Sequence, residues 1–199
     1  MKFKTILFAV LMIFASGCAT QKTNSFNADY VKKLTSKYKG QTLTPADTSE
    51  INLDENLDHS YKMTDLENNQ VYSYNYIGSR NNMLQFEIIT SPLYLQEVIS
   101  LNKHAQFVKS NLFSYDRICT FVIGNCERVR QATNGTQVKE KVETTFENNI
   151  WIIKVYKEIN NNFVLSSLTH SIYDRKGLPI YNKVFIGEHK IAAEFARSM

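Results

Sequence analysis

Only 7 glycines and 3 prolines stand among the 199 residues. With so few of either, there is no second linker, no low-complexity tract and no visible repeat, and one folded domain is the economical reading. Long apolar runs are scarce too. Ile6 to Ala15 (ILFAVLMIFA) stops at ten, well short of the roughly 20 that a membrane-spanning helix needs. Neither sign of charge dominates: 23 Lys and Arg face 19 Asp and Glu, without a basic block. The footprint of a nucleic-acid binder is therefore missing. No His-Glu-x-x-His, Cys-x-x-Cys, Gly-x-Ser-x-Gly or phosphate-cradling glycine loop occurs. The four histidines, His59, His104, His170 and His189, are scattered, and scattered histidines are usually surface or satisfied core residues. His170 and Asp174 could be drawn into a serine hydrolase triad, but a polar strand face explains SSLTHS more simply. The chain reads as non-enzymatic, without metal or soluble cofactor.

What is present begins at the amino terminus. Lys2 and Lys4 precede the apolar run, and no acid occurs before Cys18. This three-part layout is that of an export signal rather than an anchor. Ala15, Ser16, Gly17 and Cys18 then resemble the lipobox of bacterial lipoproteins, with alanine at the position where leucine is commoner. The resemblance covers residues 1–18. It implies removal of residues 1–17 and a diacylglycerol and an acyl chain on Cys18, the two or more chains that stable anchoring needs. Ala19, where aspartate would often mark inner-membrane retention, favours the outer membrane, with the domain facing the periplasm. Ordinary secretion is the alternative, because Ala15 and Gly17 also satisfy a small-x-small cleavage rule. Without Lys2 and Lys4 the 23 basic side chains become 21, against 19 acidic, so the exported part is nearly neutral.

Residues 18–26 read as the lipidated cysteine and a polar tether, and 27–199 as the globular domain. Asn27 is placed to cap a short helix to about Lys37, with Tyr30 and Leu34 on one face. Residues 40–58 are acidic and loop-like. From His59 the period falls to two: Tyr72, Tyr74 and Tyr76 share one face, Leu84, Phe86 and Ile88 another, with SRNN as the turn between them. In 92–111, Leu95, Val98, Asn102, Ala105, Val108 and Leu112 step by three or four, and Ser91 and Pro92 suit a helix start. This predicts the main helix. The second half holds YDRICTFVI, ERVRQA, TQVKEKVETTF, IWIIKVYKEI, FVLSSLTHSIY and IYNKVFI, separated by turn residues such as Asn134-Gly135, Asn148-Asn149 and Asn160 to Asn162. Adjacent antiparallel strands follow, each with one buried face, as Trp151, Ile153 and Val155 opposite Lys154, Tyr156 and Glu158 suggest. The ending HKIAAEFARSM suggests a short helix. The fold class so predicted is α+β: a curved antiparallel meander, open or half barrel, with one main helix and short terminal helices.

Cys119 and Cys126 remain after the lipobox, and an oxidising compartment favours joining them. As a cross-strand pair they need an even-length loop between them. The stripe Tyr61, Tyr72, Tyr74 and Tyr76 combines apolar bodies with polar tips and forms a possible binding surface. Tyrosines favour strands in any case. Two functions are carried forward: an envelope lipoprotein that binds a partner protein or supports an assembly, and a carrier of a lipid or other amphiphile between sheet and helix. The second is analogous, at the level of fold alone, to the half-barrel lipoprotein-sorting factors of the outer membrane.

Overall fold

The computed structural model describes residues 32, 33, 36–91, 96–187 and 190–197. Twelve antiparallel strands form the wall: β1 (Tyr61–Asp65), β2 (Val71–Arg80), β3 (Met83–Ser91), β4 (Gln96–Asn102), β5 (Phe107–Ser110), β6 (Phe113–Tyr115), β7 (Gly124–Ala132), β8 (Gln137–Glu147), β9 (Ile150–Ile159), β10 (Asn162–Tyr173), β11 (Pro179–Ile186) and β12 (Lys190–Arg197). Each pairs with its neighbour in sequence, and β12 returns to β1 through Met63↔Arg197, Thr64↔Ala196 and Asp65↔Phe195. Among the described residues the sheet closes into a barrel and has no terminal strand.

Local chemistry explains the hairpins. Asn81-Asn82, Asn148-Asn149 and Asn160-Asn161 are two-residue links in which both asparagines have positive φ, between 52° and 65°. This is the backbone of a type I′ turn, which asparagine tolerates and the twist of paired strands requires. The Asn134-Gly135 link differs: only Gly135 is left-handed, and the Ala132 N–H donates to the Thr136 carbonyl. The result is a longer loop than the two-residue turn expected there.

One end of the barrel is plugged. Residues 42–58 enter with Leu43, Ile51 and Leu53, all buried, around a short 3-10 turn at Pro45–Glu50. Thr44 and Asp47 clasp the start of this turn, the Thr44 hydroxyl donating to Asp47 Oδ2 at 2.7 Å. The plug is fastened to several parts of the wall. Trp151 Nε1 donates to the Leu43 carbonyl at 3.1 Å, His104 Nδ1 meets the Ile51 carbonyl at 2.7 Å, and the Tyr76 hydroxyl donates to the Glu55 carbonyl at 2.6 Å. Across the same end, the β10–β11 turn meets the β4–β5 turn at Gly177. A Cβ on that residue would lie 2.7 Å from Ala105 Cβ, and its φ of +77° already favours glycine.

The α+β expectation is overturned by this all-β wall. In the described part of 92–111 there is no helix but β4, a turn and β5. The Asn102 side chain accepts from the His104 and Gln106 N–H groups and Ala105 turns left-handed at φ 56°, so strand, turn and strand reproduce a three-to-four spacing of apolar residues. The carboxyl-terminal segment is likewise a strand, β12, because pairing with both β1 and β11 satisfies its backbone on two sides. The sheet closes rather than stopping at a half barrel, and chain from 42–58, not a helix, fills its concave side. Residues 32, 33, 36 and 37 are helical, in agreement with part of the short helix expected to end near Lys37. The signal segment, Cys18, the tether, Asn27, Tyr30, Leu34, Pro92 and His189 lie outside the described residues.

Among the described residues no helix is long and apolar enough to cross a membrane. The outward row of β8 and β9 is charged, with Lys139 paired to Glu158 at 3.4 Å and Lys141 to Glu143 at 2.7 Å. That is the reverse of a membrane barrel, whose outer band is apolar. On β10 to β12 the outside is buried instead, with Ile172, Ile180, Tyr181 and Ala196 packed with Tyr38 and Ile150.

Candidate functional site: the unplugged half of the lumen

Strand number sets the size of the interior. Eight strands leave just enough room for side chains or one small ligand, and diameter grows with strand number. Twelve strands enclose more, and the plug occupies one end. At the other end the strands are joined by connections of five residues or fewer.

Exposure along the inward rows marks where packing stops. Trp151 and Ser171, near the plug, are each 1% exposed. Two and four residues along β9 on the same face, Ile153 and Val155 are only half-buried, as is Thr169 on β10, although all lie within the strands. Tyr61 and Tyr74 show the same combination on the opposite wall. Their rings stack at 4.5 Å, and burial pushes both phenols well above their ordinary range, yet both keep accessible surface. Ile153 and Val155 pack against the buried Cys119, Cys126 and Val142, and Tyr61 and Tyr74 against the main core; these deep, half-buried inward positions form the candidate site.

Its wall carries buried charge. Glu140 on β8, 2% exposed, accepts from Arg128 Nε at 3.0 Å and lies 3.5 Å from Arg130 Nε. Arg128 also sits over the Tyr115 ring, 3.6 Å from its centre. Lys157 on β9 is register partner to Glu140 but forms no ion pair with a described residue. Burial, and then the charge of Arg130, lower its pKa. Two arginines thus share one carboxylate, with Lys157 beside it in register. Phe107, Phe113 and Tyr115 form a contiguous aromatic group leading to β4. There Glu97 faces inward beside Ile88, with Oε1 buried and unpartnered among the described residues. Burial raises its pKa, opposed by a hydrogen bond from Ser110.

The tyrosine stripe lies on the inner wall rather than on an exposed groove. Tyr72 packs edge-on to Phe195, with its phenol pushed up to about 12 by burial, and Tyr76 leans on Phe86 within the core. Tyr61 and Tyr74 are half-buried against the main core, and Tyr61, at the start of β1 beside Tyr173 and Asp174, lies towards the plugged end. Cys119 and Cys126 are joined, with Cα atoms 5.7 Å apart. The pair is not cross-strand: β7 starts at Gly124, so the bond ties the 116–123 loop to its own following strand. That loop sends Phe121, at φ 61°, against Trp151 and Tyr173 inside the barrel. His59 and His104 hold backbone carbonyls of the plug. His170 packs on Phe185, while Asp174 is bound to Arg197 at 2.7 Å, so no triad forms between them. Among the described residues no group of three His, Cys, Asp or Glu could hold a metal ion.

Arg128, Arg130, Glu140 and Lys157 escaped the sequence reading because charge in a strand suggests the wet face. One signal was available: Lys157 continues the row Trp151, Ile153, Val155, and a cation on an otherwise apolar row points inward. No protein-family model, no curated protein and no solved structure matches this chain.

Proposed function

We propose that the chain is a non-enzymatic, membrane-anchored envelope lipoprotein whose barrel binds an amphiphile in the unplugged half of its lumen. The observation that carries the reading is the half-buried inward row of Ile153, Val155 and Thr169 beyond a solidly packed plug. Apolar lining with a few placed polar groups is the usual make-up of a small-molecule site. The anchor rests on the lipobox and has a separate test. Cys18→Ser should release the protein from membranes and stop palmitate labelling; unchanged fractionation would contradict it.

For the lumen, native mass spectrometry of the lipid-anchored protein, extracted in non-ionic detergent, should retain a noncovalent mass beyond the acylated polypeptide. Val155→Trp, which fills the space, should abolish it. A bare wild-type chain would count against the carrier. The second reading, a partner-binding or assembly-supporting protein, draws on the β9–β10 hairpin tip, where Ile159, Phe163 and Val164 are 54%, 42% and 49% exposed. Crosslinking from that tip to one envelope protein would favour it.

A further inference from the structure

Resting on that reading, we infer that the amphiphile is an acid, its anionic headgroup seated against Arg130 and Lys157 and its hydrocarbon tail along the half-buried Ile153 and Val155. The charge balance of the lumen carries this. Arg128 is committed twice, to Glu140 at 2.8 Å and to the Tyr115 ring. Arg130 has only a long contact with the same carboxylate, 3.5 Å, and a position over the Phe113 ring at 5.8 Å. Lys157 forms no ion pair with a described residue. One carboxylate lies among three basic side chains in a partly desolvated wall. Buried charge is costly unless it is paired, and an anion supplies the missing partner.

The geometry also places the tail. Arg128 and Glu140 pair across β7 and β8, and Lys157 is level with Glu140 on β9. Two residues nearer the plug on each of these strands lie Cys126, Val142 and Val155, a wholly apolar row. Next along β8 and β9 come Thr144 and Ile153, before Phe146 and Trp151 close against the plug. Cys119 covers Cys126 and Val142, so beside the cations the half-buried apolar positions are Val155 and, next inward, Ile153. Glu97, on another wall of the lumen, is disfavoured as a carboxylate by burial.

The test uses the full lipid-anchored chain in phosphatidylcholine nanodiscs. Binding of dodecanoate, dodecanol and dodecyltrimethylammonium is measured by equilibrium dialysis against empty nanodiscs. Saturable dodecanoate binding is expected, about tenfold or more tighter than dodecanol, as a charged hydrogen bond implies. Lys157→Gln and Arg130→Gln should each erase that margin, and Lys157→Arg should restore most of it, which separates charge from a general folding defect. Equal binding of dodecanol and dodecanoate, unmoved by either substitution, would overturn the acid headgroup and leave the amphiphile reading standing. Preference for dodecyltrimethylammonium would do the same. Failure of all three to bind would overturn both.

Discussion

The two halves of this lumen are built on the same strands and differ in what fills them. At the plugged end, Leu43, Ile51 and Leu53 meet Trp151, Phe146 and Phe121, and two opposite turns touch through Gly177. A few residues along the same strands, the inward positions become Val155, Lys157, Glu140 and Arg128, half-buried or charged. The first half gains its stability from close packing. The second gives up part of that gain, because enclosed charge loses hydration. The proposed function draws on this difference.

The comparison can be broken most severely at Trp151. Trp151→Ala removes the largest side chain of the filled half and the hydrogen bond to Leu43, and should cost about 3–5 kcal/mol in chemical denaturation. A cost below 1 kcal/mol would mean that the plug is loosely held. Replacing Cys119 and Cys126 together by serine should cost about 2.5 kcal/mol, the chain-entropy value for so short a loop. Near-UV circular dichroism should then report loosening around Phe121 before the β8–β9 region responds.

A pair of enlargements sharpens the contrast. Leu53→Phe overfills the packed half and should cost about 1–3 kcal/mol, whereas Val155→Phe enters free space and should cost under about 1 kcal/mol. Equal penalties would show that both halves are solid. The smallest effect belongs to Glu97. Its folded pKa lies above the ordinary 4.5, so the folded state holds the proton more tightly than the unfolded chain. Its contribution is fully present below about pH 4.5 and is lost as pH rises through the folded value. Glu97→Gln should accordingly raise Tm at pH 7 and leave it unchanged at pH 4. A larger gain at pH 4 would reverse the sign of this argument.

Most strands were legible because their information is local. Tyr72, Tyr74 and Tyr76 alternate, as do Trp151, Ile153 and Val155, and paired asparagines mark the tight turns. Closure was not legible, since β1 and β12 lie at opposite ends of the described chain and no local pattern records their pairing. The expected main helix failed for a related reason. A strand, the left-handed turn at Ala105 and a second strand imitate helical spacing over residues 98–112. The plug was hidden by its composition: Leu43, Ile51 and Leu53 are few among acidic neighbours, and only the barrel around them makes them core. Of the site, the tyrosines were visible but their inward direction was not, and the cations were masked by the habit of assigning charge to solvent.

The central claim is that the unplugged half is hollow and takes an amphiphile. It is tested most directly by photocrosslinking a diazirine-bearing dodecanoate to the full anchored chain, followed by peptide mapping. Adducts should fall on the inward residues of β8 and β9 between Glu140 and Lys157 and disappear in Val155→Trp. Adducts confined to the exposed tip at Ile159, Phe163 and Val164, or unchanged by Val155→Trp, would contradict the claim.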